Sequence, residues 1–158
     1  MKKIRIYTDG SSRGNPSEHC GCGWAIIIEN TVKNSGNEYV PNATNNIAEM
    51  TGVLRGLEEI DKLLKEENSF EMKDIKVYSD SAYIVNGMNQ KWYRKWRRNN
   101  WKTAKGTDVK NKELWIKIID LAKFHDVGFV KVKGHNGNKY NELVDSLAKA
   151  ASATEGIE

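Results

Sequence analysis

The chain has 158 residues, with 25 Lys and Arg against 21 Asp and Glu, for a formal net charge of +4. A hydrophobic fraction of 39% with only two prolines excludes a disordered or fibrous chain, and the length suits a single domain over residues 1–158. No apolar run approaches the roughly 18 residues of a membrane span and no signal-like segment opens the chain, so we expect a cytoplasmic protein without a membrane partner.

The predicted elements begin with three strands. Alternating apolar and polar residues predict the first at about 3–8, ended by Asp9-Gly10 and a turn-rich connector. Apolar and β-branched residues predict the second strand at 23–29, and a shorter third follows at 35–40. Because their connections are short, we expect these three strands to form an antiparallel meander.

Helices alternate with strands in the rest of the chain. Thr44-Asn45-Asn46 can cap a helix whose apolar residues recur at helical spacing to about Asn68. A strand, a short helix, a longer helix, a strand and a closing helix are then predicted at about 75–79, 81–88, 109–124, 127–132 and 139–153. Since helices separate the later strands, those strands should join the sheet in parallel. The predicted fold class is α/β, a mixed five-stranded sheet (three antiparallel strands, then parallel strands) with helices on both faces.

Four carboxylates are placed so that they could converge. Asp9 and Asp80 each follow a predicted strand, and they lie side by side if those strands are parallel neighbours. Glu49 lies early in the first long helix on its sheet-facing side, and Asp145 lies beside the apolar face of the last helix. A single acid in such a place is usually a turn or surface residue. Four together repel unless cations lie between them, and oxygen ligands of this kind suit Mg²⁺.

The positive charge is concentrated in one segment. Residues 91–102 contain six Lys and Arg and no acid, and without them 19 basic residues face 21 acidic ones. This patch indicates a polyanionic partner. Trp92 and Trp96 are four residues apart and should share one helical face. A basic patch for a phosphate backbone, together with an acidic metal cluster for a scissile phosphate, predicts a nuclease.

Four sequence blocks resemble those of type 1 ribonuclease H. They are Tyr7-Thr8-Asp9-Gly10-Ser11, Thr44-Asn45-Asn46-x-Ala48-Glu49, Tyr78-Ser79-Asp80-Ser81 and Gly134-His135-x-Gly137-Asn138-x-x-Asn141-Glu142-x-Val144-Asp145. The basic segment is similar to the basic protrusion of the bacterial form, at about residues 89–105. The resemblance implies a ribonuclease H-like fold and a monomer that binds RNA–DNA hybrid duplexes. It implies hydrolysis of the RNA strand by a two-metal-ion mechanism that leaves 5′-phosphate and 3′-hydroxyl ends, with two Mg²⁺ ions, or Mn²⁺ as the alternative.

The same resemblance implies the site residues. The metal ligands are Asp9, Glu49, Asp80 and Asp145, and His135 assists proton transfer or product release. The residues expected to contact the hybrid are Asn15, Asn45 and Gln90 in the minor groove, Thr44 and Asn111 at a DNA-strand phosphate, Trp92 at the sugars, and Lys91, Arg94, Lys95, Arg97 and Arg98 at phosphates. A residue inserted near Gln90-Lys91 departs from the usual bacterial spacing. Thr44 could also be an N-cap, Asn111 a turn or cap residue, and Trp96 and Trp101 core residues.

Two other functions stay open at this point. An integrase-like or resolvase nuclease would keep the fold and cut DNA, although Asn15, Asn45 and the loop around His135 favour a hybrid. A non-catalytic nucleic-acid-binding module would keep the fold alone, although all four carboxylates are present.

Overall fold

The computed structural model describes residues 1–13, 19–67, 71–133 and 137–153, which form one mixed sheet flanked by helices. The strands are β1 (Lys2–Arg13), β2 (His19–Ile28), β3 (Thr31–Pro41), β4 (Lys73–Ser79) and β5 (Gly128–Lys131). The helices are α1 (Asn45–Glu67), α2 (Ala82–Asn89), α3 (Tyr93–Arg98), α4 (Lys112–Phe124) and α5 (Lys139–Ser152). The strand order is β3-β2-β1-β4-β5, with β1 to β3 antiparallel and β4 and β5 parallel to β1. The predicted topology is confirmed.

β1 is longer than predicted, and this changes the setting of Asp9. The parallel pairing of β1 with β4 ends where Tyr7 lies opposite Tyr78. The antiparallel pairing with β2 continues through Asp9, which lies opposite Gly23, to Arg13. The prediction that Asp9 follows the strand is therefore wrong, because β2 supplies backbone partners to residues that resemble a turn in sequence. Asp9 lies inside β1, just beyond the point where β1 and β4 part.

The two faces of the sheet pack against different helices. Ile4, Ile6 and Ile26 belong to the large core cluster that includes the apolar residues of α1 and α4. Tyr7 and Ile27, whose side chains point the other way, pack with Val144 of α5. The predicted placement of helices on both faces is confirmed.

The third helix prediction began three residues too early. Val109 is buried, but α4 starts only at Lys112, after Asn111 in the left-handed conformation with φ 62°. The apolar spacing could not reveal this break, since Val109 contributes to the core from outside the helix. Among the described residues, no helix is long and apolar enough to cross a bilayer.

Gly21 of β2 allows α5 to approach the sheet closely. A Cβ atom at Gly21 would lie 2.4 Å from both the carbonyl oxygen of Ala148 and the backbone nitrogen of Ser152. These are backbone atoms of α5, so the strain could be relieved only by moving the helix. Gly21 therefore helps to fix the helix that carries Asp145.

We expect Gly21→Ala to lower the free energy of unfolding by about 1–3 kcal/mol, because the added methyl group overpacks the β2–α5 interface. The matched control is Gly128→Ala in β5, where the new Cβ would meet only the Lys76 Cγ at an ordinary 3.5 Å. The measurement is urea denaturation of both variants. Equal stability of the two variants would contradict the close approach.

Candidate active site and nucleic-acid interface

Three carboxylates from three elements meet at the edge where β1 and β4 part. Asp9 comes from β1, Glu49 from α1, and Asp80 follows β4 directly, and one ligand oxygen from each lies within 4.8 Å of the others. Gly10 makes room for Glu49, since a Cβ there would lie 2.8 Å from the Glu49 backbone nitrogen. The amide of Gly10 also donates to Asp9 Oδ1 at 2.9 Å. We call Asp9, Glu49 and Asp80 the carboxylate cluster.

Asp145 faces the same cleft from α5. It lines a small cavity together with Asp9 and Asp80, and Asn141 from the first turn of α5 lines it as well. The Asp145 Oδ2 atom lies 3.0 Å from Lys149 Nζ, an i,i+4 ion pair on the helix surface. Asn141 is a cleft residue to which the sequence analysis assigned no role. Its position four residues before Asp145, on the same helical face, is the signal that could have identified it.

Burial and like charge raise the pKa values of two members of the carboxylate cluster. Desolvation is the larger cause for Asp9 and for Glu49, and repulsion from Asp80 is the second. Glu49 Oε2 is buried and has no hydrogen-bond partner among the described residues. The Glu49 Oε2 atom therefore has no partner to offset its burial, and a divalent cation with hard-oxygen preference fits the donor set.

The two predicted hybrid contacts at the start of α1 lie about one helical turn from Glu49. Thr44 is the N-cap of α1, because its Oγ1 accepts from the amide of Ile47 at 3.2 Å. Asn45 begins the helix, and its side-chain oxygen accepts a hydrogen bond from the Ser12 hydroxyl. Asn15 and His135 lie outside the described residues.

The basic protrusion contains a row of aromatic side chains with cations around it. Trp96 packs against the buried Trp115 at 5.5 Å between ring centroids and against Trp101 at 5.7 Å, and both Trp96 and Trp101 are half-buried. Their packing agrees with the core role considered from the sequence. Lys102 pairs with Asp108. Five other exposed cations of this segment form no ion pair within the described part of the chain: Lys91, Arg94, Lys95, Arg97 and Arg98.

Tyr83 lies between Asn111 and Trp92, two of the residues predicted to contact the DNA strand. Its hydroxyl accepts from Trp115 Nε1 at 2.9 Å and lies 3.4 Å from Asn111 Nδ2, while its ring centroid is 6.1 Å from that of Trp92. Asn111 occupies the N-cap position of α4, but its side chain makes no capping hydrogen bond. Gln90 Oε1 accepts from Trp92 Nε1 at 2.9 Å. Tyr83 thus contacts both Trp92 and Asn111, with Gln90 turned toward Trp92.

We expect Glu49→Gln to stabilise the protein at pH 8 in the absence of divalent ions. Because folding raises the pKa of Glu49 above its ordinary 4.5, the carboxyl destabilises the fold as pH rises above that value. A neutral amide needs no proton uptake on folding, so the change should raise the free energy of unfolding by about 1–3 kcal/mol at pH 8, and by less at pH 5. The measurement is urea denaturation with a chelator at both pH values.

Glu66→Gln, an exposed change near the end of the same helix, is the matched control and should leave stability nearly unchanged at both pH values. A Glu49→Gln variant that is less stable than the parent at pH 8 would contradict the claim that the Glu49 carboxylate destabilises the fold.

The chain is similar to known proteins over nearly its whole length. The RNase H family model matches residues 1–153. A ribonuclease H from Clostridium botulinum is 46% identical over 152 residues, which cover 96% of each chain. A ribonuclease H from Chlorobaculum parvum is 41% identical over 151 residues, which cover 95% of each chain.

Solved structures share the fold. The N-terminal RNase H domain of a Mycobacterium tuberculosis protein is 26% identical with a TM-score of 0.71, covering 95% of this chain and 93% of that one. LC11-RNase H1, solved in complex with an RNA/DNA hybrid, is 26% identical with a TM-score of 0.68, covering 94% of this chain and 98% of that one. Since the family model matches nearly the whole chain and two relatives exceed 40% identity, this chain belongs to the ribonuclease H family.

Proposed function

We propose that this chain hydrolyses the RNA strand of RNA–DNA hybrids, as a cytoplasmic monomer, with Mg²⁺ as its divalent ion and Mn²⁺ as the alternative. The observation that carries the proposal is the convergence of Asp9, Glu49 and Asp80 within 4.8 Å, with Glu49 Oε2 unpartnered among the described residues. A site of this kind needs cations. The basic protrusion can bind the backbone of a nucleic acid and so hold a phosphodiester beside those cations.

Asp9, Glu49, Asp80 and Asp145 are proposed to hold two metal ions. Bound divalent ions would supply a nucleophilic water at neutral pH and electrostatic stabilisation of the charge that builds on phosphorus and on the leaving oxygen. In the reaction, the water oxygen bonds to phosphorus and the bond from phosphorus to the 3′ oxygen breaks, leaving 5′-phosphate and 3′-hydroxyl ends. The leaving oxygen takes up a proton, and His135 is the proposed donor. The alternative role for His135 is to aid product release.

Recognition of the hybrid is proposed to depend on both of its strands. Asn15 and Asn45 would contact the minor groove, where the 2′-hydroxyl distinguishes RNA from DNA. Thr44 and Asn111 would hold a DNA-strand phosphate. The solved complex of LC11-RNase H1 with an RNA/DNA hybrid supports this substrate class. The N-cap role of Thr44 is compatible with phosphate contact, because helix N-termini favour anions.

The cations of the basic protrusion are proposed to hold phosphates without reading sequence. Arg94→Gln with Lys95→Gln removes two exposed charges that form no ion pair within the described residues, and it should weaken hybrid binding. The negative slope of log K for binding against log salt should also become shallower by about 1–2, because fewer counterions are released when phosphate contacts are lost. The measurement is fluorescence anisotropy with a labelled hybrid between about 50 and 200 mM salt.

The matched control for that pair is Lys33→Gln with Lys62→Gln, which also removes two exposed charges, one from β3 and one from α1, outside the basic protrusion. The control should keep the salt slope of the parent. An unchanged salt slope in the Arg94→Gln, Lys95→Gln variant would contradict phosphate contact by these two residues.

Catalysis is tested by replacing single carboxylates of the cluster. Asp80→Asn should reduce Mg²⁺-dependent cleavage of a hybrid by about 10³-fold or more, because a metal-binding charge is lost, while hybrid binding persists. Asp120→Asn, at an exposed position of α4, is the matched control and should cleave normally. The measurement is gel-resolved cleavage of a hybrid, a DNA duplex and an RNA duplex of one sequence.

Undiminished cleavage by Asp80→Asn would contradict the metal-site assignment. Comparable cutting of the DNA duplex by the parent would favour the integrase-like alternative, and binding of the hybrid without any cleavage would favour a non-catalytic module.

A further inference from the structure

α2 ends in a turn whose left-handed position is filled by a lysine. The amide of Trp92 donates to the carbonyl oxygen of Gly87 at 3.1 Å, and the amide of Lys91 donates to that of Met88 at 3.3 Å. These are the two hydrogen bonds of a Schellman motif, and Lys91 occupies its left-handed position with φ 55°. Glycine usually fills this position because a Cβ is disfavoured there, so the turn at Lys91 forms at a modest conformational cost.

The turn places the apolar part of the Trp92 ring against neighbouring residues. A Cβ at Gly87 would lie 3.1 Å from Trp92 Cε3, so the ring rests where that glycine has no side chain. Tyr83 and Trp96 flank the indole, each with its ring centroid 6.1 Å away. These apolar contacts do not hold the polar Nε1 edge of the half-buried ring.

Gln90 holds that polar edge. Trp92 Nε1 is a donor only, and it donates to Gln90 Oε1 at 2.9 Å. Gln90 is the C-cap of α2, and its backbone amide donates to the carbonyl oxygen of Asn86 at 2.8 Å, so the backbone that carries the acceptor is fixed at the end of the helix. Lys91 lies between Gln90 and Trp92 in the turn, at the place where the sequence departs from the usual bacterial spacing.

We propose that Gln90 is a positioning residue that fixes the orientation of the Trp92 indole, and that it does not itself read the hybrid. An aromatic ring among unpaired cations can stack on the sugars or bases of a nucleic acid, and a ring oriented before binding loses less conformational entropy. This inference rests on the proposed function for the substrate. It replaces the expectation that Gln90 lines the minor groove.

The first experiment observes the free protein. Gln90→Met removes the acceptor and keeps a side chain of similar length at an exposed position, so the variant should fold. In ¹H–¹⁵N spectra of the five tryptophan indoles, assigned with a Trp92→Phe variant, we expect the Trp92 Nε1–H signal to shift most and, alone among the five, to exchange faster with solvent. An unchanged Trp92 signal would overturn the proposal, whatever the substrate of the protein is.

The second experiment measures hybrid cleavage in a two-residue cycle. Gln90→Met should raise KM by about threefold to tenfold with little change in kcat, and in a Trp92→Phe background it should have no further effect, because Phe has no N–H for Gln90 to hold. Asn86→Ala, an exposed change on the same helix, should leave KM unchanged. An equal rise in KM in both backgrounds, or none in either, would overturn the proposal. A parent that cleaves no hybrid would instead refute the proposed function.

Discussion

Three carboxylates lie within 4.8 Å of one another in a partly buried cleft: Asp9, Glu49 and Asp80. Their negative charges repel one another, and a bound cation relieves that repulsion. The fold holds this arrangement from three sides. β1 continues beyond β4 because β2 supplies its backbone partners, and α1 comes close enough to add Glu49 because Gly10 has no side chain. The repulsion among these carboxylates destabilises the fold in the absence of an ion, as expected of residues that serve metal binding rather than folding.

The second charge centre is separated from the first and has the opposite sign. Apart from Lys102, which pairs with Asp108, the exposed cations at 91–98 of the basic protrusion have no acidic partners in the described ranges, so their charges can meet phosphates. A continuous aromatic row joins the protrusion to the core: Trp101, Trp96, Trp115, Tyr83 and Trp92. Because these rings pack on one another, the position of the protrusion on the body of the protein is set by rigid contacts. The net charge of +4 conceals this separation of signs.

The edge of the sheet where Asp9 meets Asp80 could be predicted from the sequence, because the two strands pair in parallel and each acid lies two residues beyond the last pair, Tyr7 and Tyr78. Helical spacing likewise indicated that Glu49 faces the sheet. The extension of β1 could not be predicted, since residues that form turns in isolation become a strand when a partner strand pairs with them. The Schellman turn at Lys91 and the hydrogen bond from Trp92 to Gln90 were hidden for a related reason: both depend on where the chain leaves α2, which side-chain patterns do not record.

If the carboxylate cluster is a divalent-metal site, a bound ion relieves its repulsion and stabilises the fold. The most direct measurement is the free energy of unfolding at pH 8 as a function of Mg²⁺ concentration, for the parent and for a variant with Asp9→Asn and Glu49→Gln. An ion that binds only the folded state stabilises it progressively as its concentration rises. We predict that Mg²⁺ stabilises the parent and has no effect on the variant, whereas the same Mg²⁺ dependence in both proteins would contradict the account.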